Sequence, residues 1–102
     1  MKIVYIAHPI SGDIEGNLAK IRAIVRHINL THPDVIPFVP YYADVVSMDD
    51  NNREERARGI KNDQEFFKRR IFDELWVFGH ISEGVAAEIK LAKENRIPVL
   101  LH

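Results

Sequence analysis

Ile3-Val4-Tyr5-Ile6-Ala7 is an unbroken apolar, β-branched-rich run closed by the turn cluster His8-Pro9-Ile10-Ser11-Gly12-Asp13, and it constrains the fold more than any other feature of the chain. A run without polar alternation has no solvent face, so it reads as a strand buried on both sides of a parallel sheet, at its centre. Three further runs have the same character: Val35-Ile36-Pro37-Phe38-Val39, Leu75-Trp76-Val77-Phe78 and Ile97-Pro98-Val99-Leu100-Leu101. Pro37 cannot donate a ladder hydrogen bond, which assigns the second run to an edge.

Helical patterns separate these runs. Asp13 can cap a helix whose Ile14, Leu18, Ile21, Val25 and Ile28 recur at spacings of three and four. A second helix is expected from about Asn62 to Phe72, with Phe66, Phe67 and Arg70 near one side, and a third over Val85 to Asn95, with Val85, Ile89 and Ala92 on one face. Pro40 to Lys61 is polar and charge-rich, and reads as a mobile segment with short helices around Ala43–Ser47 and Arg53–Arg58. Strands alternating with helices imply right-handed parallel crossovers, hence an α/β, flavodoxin-like, doubly wound sheet of about four strands. Ligands of such sheets bind outside the carboxyl ends of the strands. Here that edge carries the His8–Asp13, Pro40 and Gly79–Gly84 loops.

The 102 residues fit one domain, 1–102, with no room for a second core. Fourteen Lys and Arg against 15 Asp and Glu leave no electrostatic footprint for a nucleic-acid polymer or an anionic membrane. Without cysteine there is no thiolate nucleophile, and the first apolar run is too short for a signal segment or a membrane span. A cytoplasmic protein is expected. A final strand followed only by His102, together with the aromatic surface of Phe66, Phe67 and Phe72, predicts a homo-oligomer with each site completed by a neighbour.

Several residues at the sheet edge could carry chemistry. Ser82-Glu83-Gly84-Val85 opens a helix soon after a strand, so Ser82 and the free amides near Gly84 either cap that helix or hold an anion, and Ser11-Gly12 is equally ambiguous. Glu88, one turn on, has no oppositely charged neighbour at helical spacing. It is either a solvated glutamate or a carboxylate that the helix N-terminus keeps ionised beside a sugar. Asp63 and Glu65 are candidate proton donors, although Asp63 could simply stabilise a helix start. Tyr5 could reach a carboxylate or sugar with its hydroxyl. His8 and His80 lack a third ligand, so no metal is expected. The charged stretch Asp49–Lys61 reads as a solvated loop, with ligand contacts from Arg53, Arg56 or Arg58 the lesser alternative.

The stretches Tyr5-Ile6-Ala7-His8-Pro9-Ile10-Ser11-Gly12, Asp73-Glu74-Leu75-Trp76-Val77-Phe78-Gly79 and Ser82-Glu83-Gly84-Val85-Ala86-Ala87-Glu88 resemble the nucleoside 2-deoxyribosyltransferase family and its nucleoside-monophosphate N-glycosidase relatives. The resemblance implies a nucleotide-binding domain in which Glu88 is the nucleophile or sugar-contacting carboxylate. Asp63 and Tyr5 are expected to assist it, and Ala7, His8, Ile10, Ser11, Gly12, Ser82 and Gly84 to bind substrate. Ser82 stands where the transferases carry aspartate and the monophosphate hydrolases serine. The resemblance therefore implies hydrolysis of the N-glycosidic bond of a (deoxy)nucleoside 5′-monophosphate, with free base released and no cofactor. Deoxyribosyl transfer and non-catalytic nucleotide binding are the alternatives. The sequence departs from the family at His8, where glycine is usual, and in the spacing from Asp63 to Asp73.

Overall fold

Strand β1, Lys2–Ala7, pairs on both edges in the computed structural model, which describes all 102 residues. It runs parallel to β2 (Val35–Phe38) on one side and β3 (Glu74–Val77) on the other, and β3 pairs with β4 (Val99–Leu101). The order is β2-β1-β3-β4, with every pair parallel. This is the doubly wound α/β arrangement expected from the alternation, and Pro37 lies on an edge strand.

Side chains of β1 alternate between two cores, as the period of a strand requires. Val4 and Ile6 pack with Trp76 against Ile24 and Ile28 of α1 (Ile14–Thr31). Tyr5 and Ala7 face the opposite side, where Leu75 and Val77 meet Phe67 of α3 (Arg53–Lys68) and Val85 and Ala92 of α4 (Glu83–Glu94). Asp13 caps α1 by accepting from the Gly16 amide at 3.1 Å. Gly12 and Gly79 occupy the left-handed region, with φ of 96° and 75°, and turn the chain sharply in the loops that follow β1 and β3. No helix is long and apolar enough to cross a membrane.

The middle of the chain departs from expectation. Pro40–Lys61 carries the short helix expected around Ala43–Ser47, but the helix expected over Arg53–Arg58 does not stop before a separate one from Asn62. A short helix α2, Tyr42–Ser47, is followed by the continuous α3, which starts at Arg53 and ends at Lys68 rather than Phe72. The Asn52 side chain caps α3 by accepting from the Glu54 and Glu55 amides, those two acids sit at the positive end of the helix, and no proline interrupts it. Arg70, at φ 50°, ends the helical path before Phe72.

The aromatic argument for an oligomer also changes. Phe67 and Phe72 are buried in the monomer and Phe66 is partly covered, their rings packing on one another, on Tyr5 and on Phe38. They leave no aromatic face that calls for a second subunit.

Candidate functional site

Tyr5, fully buried at the centre of the sheet, lies beneath a cavity at the carboxyl edge of the strands, and its hydroxyl meets two carboxylates that line it. Its Oη lies 2.5 Å from Oδ2 of Asp63, on α3, and in a short contact with Oε2 of Glu88, on α4. The hydroxyl has one proton to give, so Tyr5 donates to one carboxylate and accepts from the other, which must itself be protonated. One additional proton is therefore shared over two acids.

The electrostatics agree with this count. Burial, and then the charges of Glu88 and Asp63, push the Tyr5 phenol well above its ordinary range, so it keeps its proton. Burial lifts Asp63 to about 6 against the lowering effect of its hydrogen bonds to Tyr5 and Glu88. Burial, followed by the charge of Asp63, holds Glu88 well above the usual carboxylate range. The expectation that a helix N-terminus would keep Glu88 ionised is thus reversed. Glu88 lies beyond the first turn of α4, where the dipole has faded, and desolvation dominates.

The cavity holds about 320 Å³ and is closed by the loops after β1, β2 and β3 together with α2, α3 and α4. His8, Ile10, Ser11, Ser82 and Gly84 line it beside Asp63 and Glu88. Ala7 does not, being fully buried in the core beneath, and Gly12 lies off the cavity, where its part is the turn. His8 Nδ1 donates to the Pro9 carbonyl at 2.8 Å, and the Ser82 hydroxyl accepts from the Val85 amide at 3.2 Å, so Ser82 does cap α4. Glu65, the other candidate acid, is exposed and pairs with Arg69 at 2.8 Å, away from the site. Asp63 lies well inside α3, which removes the helix-start role weighed for it.

The structure adds residues that the sequence did not single out. Tyr41 lines the cavity, and its hydroxyl donates to the Ile6 carbonyl at 2.6 Å, beyond the point where β2 stops pairing with β1. Burial and the same two carboxylates hold its phenol well above the ordinary value. Asp44, Met48, Ile60 and Gln64 also line the cavity, as does Arg56, one of the three arginines considered above. Tyr41 follows the second strand at the edge where ligands bind, and that placement was the one available signal.

The parallel four-stranded α/β fold, with its cavity at the carboxyl edge, is the flavodoxin-like fold of deoxyribosyltransferases. Residues 2–102 match the family described as a domain of unknown function (DUF7768), and the chain belongs to that family. Among solved structures, it is similar to a 2-deoxyribosyltransferase from the psychrotolerant bacterium Bacillus psychrosaccharolyticus, a biocatalyst for nucleoside synthesis. The TM-score is 0.68 at 20% identity, over 97% of this chain and 70% of that one. It is also similar to a conserved protein from Enterococcus faecalis V583, with a TM-score of 0.66 at 21% identity, over 99% of this chain and 62% of that one. No curated protein sequence matches the chain.

Proposed function

We propose that this protein is an enzyme that cleaves the N-glycosidic bond of a nucleoside and transfers the sugar, a 2-deoxyribosyl group, to a second base. The observation that carries this reading is the pair Asp63 and Glu88 sharing one proton across Tyr5 at the floor of the cavity. Because both carboxylates bond one hydroxyl oxygen, and Asp63 also bonds Glu88, their nearest oxygens stand within about 5 Å of each other. That is closer than the spacing that admits a water between them, and it favours retaining cleavage through a glycosyl-enzyme ester.

Tyr5 supplies the proton path. Glu88 passes its proton to the Tyr5 oxygen while Tyr5 passes its own to Asp63, which leaves Glu88 ionised and Asp63 protonated. Glu88 then bonds the anomeric carbon as the carbon–nitrogen bond breaks, and Asp63 protonates the departing base. An acceptor base reverses these steps: Asp63 takes its proton, and its nitrogen displaces Glu88 from the sugar.

The charge of the cavity favours a nucleoside over its 5′-monophosphate. Seven lining residues are carboxylic acids, Asp44, Asp49, Asp50, Glu55, Asp63, Glu83 and Glu88, against one guanidinium, Arg56. A phosphate dianion entering this field is repelled, and Ser11 and Ser82 contribute no positive charge to offset it. Similarity of fold to a deoxyribosyltransferase supports the same choice.

Incubating the protein with a deoxynucleoside and a different free base, and following both bases by chromatography, tests the proposal. Exchange that requires the acceptor base is the expected result. Base release in water from the monophosphate alone would replace transfer with hydrolysis, and tight binding without turnover would leave a binding module.

The pH dependence is a second expected outcome. Activity needs one proton on the pair, so kcat/KM should form a bell. Its acid limb should fall near pH 6, where Asp63 takes up a second proton, and its alkaline limb higher, where Glu88 loses the shared one. A rate independent of pH from 4 to 9 would remove the pair from the chemistry.

A further inference from the structure

We propose that Asp44 reads the base of the substrate and selects N-glycosides whose base carries an exocyclic amino group. This rests on the reading of the site given above and adds to it the class of base.

Position comes first. The departing base must lie against Asp63, which protonates it, and Asp44 lines the same cavity and bonds Asn62, the residue next to Asp63 on α3. Asp44 therefore stands at the base end of the cavity. It is held there by the packing of α2 on α3 at Gly59. A β-carbon built on that glycine would lie in ordinary van der Waals contact with α2, 3.7 Å from Asp44 Cβ and 3.8 Å from Met48 Cε, so the two helices are close neighbours at this point.

Chemistry follows. Asp44 is half-buried, and its Oδ2 accepts only a 3.3 Å bond from Asn62 Nδ2. Neither ion pair of the chain involves it, so a charged acceptor faces the cavity with lone pairs unused. An amino group on the base satisfies such an acceptor, whereas a carbonyl at the same position sets oxygen against oxygen. The walls on either side suit a planar ring. Val45, Met48 and Ile60 are apolar and line the same end, and Ile60 is 49% exposed until something covers it.

The test uses matched nucleosides in which an amino group and the ring-nitrogen acceptor beside it give way to a carbonyl and a ring N–H: deoxyadenosine with deoxyinosine, and deoxycytidine with deoxyuridine. The wild type should turn over the amino member of each pair about tenfold or more faster in kcat/KM. In Asp44→Asn, whose side chain offers both a donor and an acceptor, the ratio should fall to within about threefold. Equal rates in the wild type, or a preference unchanged in the variant, overturn the assignment. Calorimetric titration with free adenine and hypoxanthine separates the two proposals. If no nucleoside is turned over but adenine still binds about tenfold tighter, the base selection stands and the transfer reaction fails. Equal binding of the two bases, or binding of neither, overturns the selection.

Discussion

Glu88→Gln should reduce base exchange by about a thousandfold or more while leaving the sheet intact. Glutamine keeps the length of the side chain and still bonds the Tyr5 hydroxyl, but its amide can neither form an ester with the anomeric carbon nor pass a proton to Tyr5. The loss should fall on kcat, because the cavity walls that bind the base are unchanged. Steady-state rates measured beside a circular-dichroism spectrum check this. A folded variant that retains more than about a tenth of the activity would take Glu88 out of the mechanism.

Asp63→Asn should stabilise the protein while abolishing efficient departure of the base. The folded-state pKa of Asp63 is raised by burial to about 6. A raised pKa means that the native state binds the proton more tightly than the unfolded chain does. The stability this proton gives is fully present below the unfolded value, near pH 4, and is lost as pH rises through about 6. Above that, the native state carries a buried charge that asparagine does not. A shift of this size corresponds to on the order of 2–3 kcal/mol, or roughly ten degrees or more in Tm for a domain of this length. Melting curves between pH 4 and pH 8 should therefore show the wild type weakening with pH and the variant holding more nearly constant. Parallel curves for the two proteins would mean that Asp63 is not under the strain described. Glu88, raised by burial and by Asp63, contributes in the same direction over a higher pH range.

What the sequence disclosed follows from where each segment is buried. The strands and α1 were legible because they meet the core on a repeating face, and Val4, Tyr5, Ile6 and Ala7 are wholly buried. The extent of α3 was not. One side of it lines the cavity through Arg56, Gly59, Ile60, Asp63 and Gln64, and a helix facing a cavity need not carry a continuous apolar stripe. Its polarity therefore reads as loop. Glu88 and Asp63 could be named as candidates on local grounds, yet their meeting at Tyr5 joins β1, α3 and α4, and no local pattern encodes that contact. The environment of Glu88 was misjudged for the same reason. A helix start favours the charged form, but the decisive influence is burial against elements distant in sequence.

A covalent sugar on Glu88 is the most direct measure of the central claim, that the Tyr5-bridged carboxylates perform retaining transfer. Incubation with a 2-deoxy-2-fluoro nucleoside, whose fluorine slows the second step, should leave one sugar ester per chain by intact mass, and peptide mapping should locate it on Glu88. Tyr5→Phe, which breaks the proton path, should slow its formation. A chain that releases base with no adduct, or with the sugar on another residue, would contradict the mechanism.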